Sequence, residues 1–190
     1  MAKLPHYKNS EASMGMYEPV YTNLFDVAVT PPFIIQSSWP GELMMEQVIK
    51  VGGLDIDKIP GAEITQTYKG WTRSYAASKL DTTYVDITID FEVNINKNNS
   101  IYVYSALKEW CNLIFDPYSG EMHMKSDYAG GPMKIILYNR EGVTIREYTF
   151  PVVFPTTNIP AIELDYTSSG IYTISGFTFR ADYYESQTVK

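Results

Sequence analysis

The clearest pattern of apolar and polar positions lies between residues 82 and 116. Thr83, Val85, Ile87, Ile89, Phe91, Val93 and Ile95 alternate with Tyr84, Asp86, Thr88, Asp90, Glu92 and Asn94. A strict period of two predicts a strand with one dry face and one wet face. Residues 96–100 are polar and turn-forming, and the Ser100 hydroxyl suits a helix cap. Val103, Leu107, Trp110 and Ile114 then step by four, three and four, which places one apolar stripe on a helix over 101–116. Lys108, Glu109 and Asn112 lie away from that stripe. Asp116-Pro117 is expected to end the helix, because a residue before proline is pushed out of the helical region.

The rest of the chain reads as more sheet. Residues 1–20 have no sustained period and form an N-terminal arm. Phe25, Val27 and Val29 share a face opposite Asp26, Ala28 and Thr30, and Pro31-Pro32 stops that strand. The short apolar run FIIQSSW predicts another. ELMMEQVIKV fits strand or helix, with strand preferred. MKIILY predicts a strand buried on both faces, NREG a hairpin turn, and VTIREYTFPVVF its return. AIELDYTS and GIYTISGFTFRADYY predict the last pair. In the latter, Ile171, Thr173, Ser175, Phe177, Phe179 and Ala181 alternate with Tyr172, Ile174, Gly176, Thr178 and Arg180. ESQTVK reads as a polar tail. Six to eight strands and one helix, with turns at regular intervals, predict an antiparallel two-sheet sandwich or barrel in one domain over 1–190.

Residues 52–81 stand out as a long loop. They hold four glycines and one proline, and a loop of that length in a compact domain is usually functional. Ile56, Ile59, Ile64, Tyr68, Trp71 and Tyr75 are spread through it. Such residues on a projection suit a surface that docks on another subunit. A hairpin folded back on its own domain fits the composition equally well.

Composition narrows the chemistry. The formal charge is −7, which disfavours gripping nucleic acid through its phosphates. The 16 tyrosines suit half-buried sheet and subunit surfaces. Cys111 is the single cysteine, so no disulfide can form within the chain, and it reads as a small buried apolar side chain. Residues 1–10 lack the apolar core of a signal peptide, and no window reaches the roughly 20 apolar residues that span a bilayer. The expectation is a protein made in a cytoplasm, with no membrane insertion.

Catalytic residues are sparse. His6 sits in the arm and His123 between two methionines. No paired-histidine metal spacing, nucleophile elbow or phosphate-binding glycine loop is present. Asp86, Asp90 and Glu92 share a strand face, which reads as a solvated face before it reads as acid–base machinery. Asp55 and Asp57 lack the later glycine and glutamate of a calcium loop. The expectation is a non-enzyme without cofactor or metal.

The order of elements resembles the tail tube protein of contractile-tailed bacteriophages. The resemblance rests on NLFDVAV at the start and on a long loop ending YKGWTRSYAASKLD. It continues through VDITIDFEV, the helix ALKEWCNLI with Trp110, the hairpin MKIILYNREGVTIREYTF, and VFPTTNIP leading to a final strand with Phe177, Phe179, Tyr183 and Tyr184. It covers residues 15–185. The chain departs from the family in a longer arm and a longer segment over 117–132. The resemblance implies hexameric rings of two-sheet barrels stacked into a hollow tube inside a contractile sheath. Double-stranded DNA would pass through the lumen, without specific binding, when the sheath contracts. Implied partners are further copies, the sheath protein, a baseplate initiator and a tail terminator. The implied location is the tail of a virion assembled in the host cytoplasm. Related type VI secretion and extracellular contractile injection tubes share the fold and carry proteins. A small-ligand-binding β-barrel is the alternative outside this class.

Stacked identical rings make a head-to-tail contact that does not close and so grows. Such growth needs projecting contacts, here the arm with Tyr17 and Tyr21 and the 52–81 loop. A negative lumen would let DNA slide, with Asp86, Asp90 and Glu92 as lumen-lining carboxylates or, alternatively, as an outward-facing row.

Overall fold

The computed structural model describes residues 20–54, 63–76, 84–95, 101–160 and 170–188. Two four-stranded antiparallel sheets form the body. The first has the order β1-β6-β7-β10, from β1 (Phe25–Val29), β6 (Met133–Tyr138), β7 (Thr144–Phe150) and β10 (Glu185–Thr188). The second has the order β2-β5-β9-β8, from β2 (Val48–Gly52), β5 (Val85–Glu92), β9 (Thr173–Ala181) and β8 (Val153–Pro155). A third sheet is a separate hairpin of β3 (Glu63–Tyr68) and β4 (Trp71–Ala76). The helices are α1 (Gly41–Glu46), α2 (Tyr102–Ile114) and α3 (Lys125–Tyr128), with a 3-10 turn at Phe33–Ile35.

The alternation in β5 holds. Ile87, Ile89, Phe91 and Val93 are buried, while Asp86, Thr88, Asp90 and Glu92 sit half-buried on the opposite face. Thr83 lies outside the described residues, and Ile95 is exposed, beyond the end of the ladder. The helix stripe also holds for Val103, Leu107 and Trp110, with Ala106 joining them; Ile114 is half-buried. Trp110 fixes the helix to the body. Its ring centroid lies 5.3 Å from Trp39 and 5.4 Å from Phe179, and its indole N–H donates to the Tyr128 carbonyl at 2.7 Å.

Several expectations are corrected. The helix begins one residue after Ile101, without a side-chain cap, and Ser100 lies outside the described residues. It ends at Ile114, because Phe115 is already extended at φ −152, ψ 117 and bridges Met122. Asp116 instead organises the following turn, accepting from the Tyr118 N–H at 2.9 Å and the Ser119 hydroxyl at 2.8 Å. FIIQSSW is not a strand: Phe33–Ile35 is a 3-10 turn opened by Pro32, with φ fixed by its ring, Ile35 is buried, and Trp39 packs on Trp110. ELMMEQVIKV divides into α1, which buries Met44, and β2.

β6 is buried on one face, through Met133 and Ile135. Its other face carries Lys134, whose ammonium pairs with Glu147 at 2.7 Å. The polar end of the chain is not a tail: residues 185–188 pair with β7 as an edge strand. Edge pairing draws on backbone groups, so a polar sequence serves. The segment AIELDYTS lies outside the described residues.

The largest correction is in β9. Strict alternation would put Ile174 on the wet face, yet it is fully buried. Ile89 pairs with Phe177 but Phe91 pairs with Ile174, so the ladder slips at Ser175-Gly176. Gly176 takes φ +73, open to glycine and strained for other residues. One bulge shifts the phase and returns Ile174 to the face of Phe177 and Phe179.

Candidate assembly surfaces

The hairpin is built by a two-residue turn. Lys69 at φ +48 and Gly70 at φ +81 give both central positions the positive φ that matches strand twist. Its register pairs Tyr68 with Trp71, Gln66 with Arg73 and Ile64 with Tyr75. The alternate positions pair Thr67 with Thr72 and Thr65 with Ser74. One face is therefore aromatic and basic, and the other is small and polar.

Tyr68 is 70% exposed, Trp71 79% and Tyr75 48%. The Lys69 ammonium lies 5.4 Å from the Tyr68 ring. Within the 52–81 segment, residues 63–76 form a hairpin that stands as its own sheet, with residues 65–75 exposed; residues 55–62 and 77–81 lie outside the described residues. Of the other inter-ring candidates, Tyr17, Ile56 and Ile59 lie outside the described residues. Tyr21 is half-buried under the Arg140 guanidinium, 4.7 Å from its ring.

The three carboxylates do share the outward face of β5, but they do not form a bare acidic row. Asp86 makes a two-pronged pair with Arg180, at 2.8 and 3.0 Å. This pairing holds the guanidinium protonated even more firmly than usual. Arg180 in turn lies 3.6 Å above the Tyr84 ring. Asp90 accepts the Gly176 N–H at 2.7 Å and stands in register with Lys50. Glu92 has no ion-pair partner among the described residues.

The two ends of the second sheet differ. At one end, Val85 pairs with Ala181, and Gly53 packs against the Asp86 carbonyl. The hairpin is tethered there, at Leu54 and Tyr84. Gly130 bridges Val153 at the same end, where Lys125 pairs with Asp182. At the other end the Val93 N–H donates to the Tyr172 carbonyl at 3.0 Å. There Ile95 and Ile171 are each 68% exposed.

A further apolar group went unnoticed in the sequence: Phe33, Tyr118, Met122 and Met124, all strongly exposed. The 3-10 turn bearing Phe33 packs against α2 and α3, so this group belongs to the hairpin-tethered end. Phe33 lies in the FIIQSSW run, where the sequence predicts a strand and a short apolar run gives no sign of which residues face outward.

Among the described residues, no group of three or more His, Cys, Asp or Glu side chains converges to hold a metal ion. No helix among them is long and apolar enough to cross a membrane.

No protein-family model and no curated protein matches the chain. Solved structures do. A chain of the anti-feeding prophage cap (AFP tube terminating cap) is similar over 91% of this chain and 93% of its own, at 20% identity and a TM-score of 0.59. A chain of the PVC sheath–tube complex in the extended state, from an extracellular contractile injection system, is similar over 94% and 97%, at 19% identity and a TM-score of 0.59. A chain of the PVC sheath/tube terminator, also in the extended state, covers 99% of its own length, at 19% identity and a TM-score of 0.52. With its two antiparallel sheets, flanking helix and separate hairpin, the chain has the tail tube/terminator-like fold of contractile injection systems.

Proposed function

We propose that this protein is a structural, non-catalytic subunit of a contractile tail, forming hexameric rings that stack into a hollow tube inside a sheath. The observation that carries this reading is the exposed hairpin. A tryptophan and two tyrosines on one face of a projecting two-stranded ribbon are costly to leave in water, at about 25 cal/mol per Å² of apolar surface. A neighbouring copy that covers them recovers that free energy. The tail tube/terminator-like fold supplies the body on which such stacking is built.

The outward face of β5 is our lumen wall. Asp86 and Asp90 are partly spent on Arg180 and Gly176, so the wall is mildly rather than strongly negative. DNA would still slide along it without phosphate-binding lysine rows. A protein cargo is the second reading, favoured by the similarity to chains from an extracellular contractile injection system. A terminating cap is a third, favoured by the equal TM-score of the anti-feeding prophage cap. The sheath, a baseplate initiator and further copies are the partners in each case, and the location is an assembled tail particle.

Negative-stain electron microscopy over a range of concentrations tests the reading. Tubes of stacked rings are expected of the wild type. Deleting residues 56–75 should leave a folded protein that no longer stacks. Isolated single rings at every concentration would favour the cap, and tubes from the deletion variant would remove the hairpin from the mechanism.

A further inference from the structure

The tube reading leaves the exposed apolar group beside the C-terminal end of α2 without a role. We propose that this group is a docking surface for a basic amphipathic helix of another protein. Its layout, its charge and the helices of the chain itself each bear on that choice.

The layout follows from one antiparallel bridge. Phe115 and Met122 stand directly opposite each other, so their side chains share a face and lie side by side. Phe115 is 49% exposed and Met122 75%. Met124, two residues on and also extended at φ −75, ψ 158, shares that side. Its backbone leads into α3, against which the 3-10 turn carrying Phe33 packs. The same turn meets α2, where the Ser38 hydroxyl donates to the Glu109 carboxylate at 2.9 Å. Tyr118 stands strongly exposed in the turn between Phe115 and Met122. Two thioethers roughly 7 Å apart suit side chains one helical turn apart, about 5.4 Å, and methionine adapts its shape to what it meets.

The charge is one-sided. Residues 109–124 carry Glu109, Asp116 and Glu121 and no lysine or arginine. The cations at the two borders are Lys108 on α2 and Lys125, whose ammonium is paired with Asp182. Residues 33–38 carry no charge. Apolar side chains among carboxylates attract a segment with an apolar stripe and lysines or arginines beside it, the helix-in-groove mode of recognition. The same carboxylates repel nucleic acid and anionic lipid.

A second copy offers no such helix among the described residues. α2 carries one lysine and one glutamate, Lys108 and Glu109, and α1 carries no cation. α3 is four residues long, and its one cation, Lys125, is already paired. The occupant therefore comes from another chain.

Fluorescence anisotropy with labelled synthetic helices tests the surface. The probes are a Leu/Lys amphipathic peptide of about 18 residues, long enough to hold a helix, its Leu/Glu counterpart, and a scrambled Leu/Lys peptide without an apolar stripe. The first should bind, the scrambled peptide at least about tenfold more weakly, and the Leu/Glu peptide not at all. Met122→Ser combined with Met124→Ser, and separately Glu121→Lys, should each weaken binding about tenfold. Both should melt and self-assemble as the wild type does, because these side chains are exposed and meet no second copy. Glu185→Lys on β10 makes the same charge change elsewhere and should bind the peptide as the wild type does. No binding of the Leu/Lys peptide, equal binding of the scrambled one, or undiminished binding by the methionine variant would overturn the proposal. Loss of self-assembly in a methionine variant that still melts normally would overturn it in favour of a second copy as the occupant.

Discussion

The Asp90 carboxylate accepts a hydrogen bond from the Gly176 N–H at 2.7 Å, across the neighbouring strand and 86 residues along the chain. The donor sits in the bulge that shifts the phase of β9. Asp90 thus clamps the irregularity that returns Ile174 to the core. Asp90→Ala should lower stability by about 1 kcal/mol, a modest value for a charge-assisted bond at an exposed site. Gly176→Ala should cost a similar ~1 kcal/mol through its positive φ. Urea titration of each single variant and the double checks this. A double cost well below the sum is expected, because both act on one bulge.

Gly130 carries a sharper steric prediction. A Cβ there would fall 2.6 Å from the Thr30 carbonyl oxygen and 2.7 Å from Trp110 Cζ2. Trp110 is held by Trp39, Phe179 and its own hydrogen bond to Tyr128, so it has little room to yield. Gly130→Ala should destabilise by about 1–3 kcal/mol, as overpacking of a filled core does. Gly120, with open space around it, is the comparison site. It also has φ +73, so its alanine variant should show backbone strain without a steric clash. Red-shifted or newly heterogeneous tryptophan fluorescence is expected only for the Gly130 variant.

Acid sensitivity follows from Glu147. The Lys134 ammonium beside it, helped by Thr149, holds its carboxyl below the usual glutamate range. A carboxylate with a depressed folded pKa adds stability above its unfolded pKa, and that share is lost as pH falls through the folded value. The wild type should therefore melt above Glu147→Gln at pH 7. The gap should close as pH falls below about 4, near the ordinary glutamate value. Thermal melts between neutral and acid pH read this directly, and a gap independent of pH would rule out the pairing as its source.

Cys111 should be nearly inert. Burial pushes its thiol up to about 11, and its sulfur lies 3.8 Å from the Thr157 carbonyl. Thiolate is scarce at pH 8, so alkylation of the folded protein should run at least about a hundredfold slower than for a free thiol. Iodoacetamide labelling followed by mass spectrometry, with and without urea, measures the ratio. Rapid labelling without urea would mean the α2 face opens in solution.

The carboxylate row also changes how charge reversal is read. Reversing Asp86 breaks its pair with Arg180, and reversing Asp90 breaks the bulge clamp, so either variant loses fold contacts before any lumen effect appears. Glu92→Lys alone alters the face without disturbing a described partner. It should retard DNA passage only if that face lines the lumen, and ejection assays on intact particles measure it.

The sequence by itself determined the elements whose period is locally complete. The dry face of β5, the stripe of α2 through Trp110 and the NREG hairpin were all legible. In each case one repeating pattern of apolar side chains decides the structure, and neighbours in sequence are enough to read it. The tail-tube resemblance lay in the order of these same pieces.

Only the tertiary structure decided what depends on partners distant in sequence. The bulge at Gly176 exists because β9 must satisfy β5 on one side and the core on the other, which no alternation within β9 encodes. Residues 185–188 become a strand because β7 offers an edge, and a polar segment carries no sign of that offer. The pairing of Asp86 with Arg180 joins residues 94 positions apart. The hairpin's aromatic face was written in the alternation of residues 64–76, but glycines and the flanking irregular segments hid it. That its rings are exposed is a fact of three-dimensional placement. Burial and polarity are properties of the folded surface, and sequence order alone does not fix them.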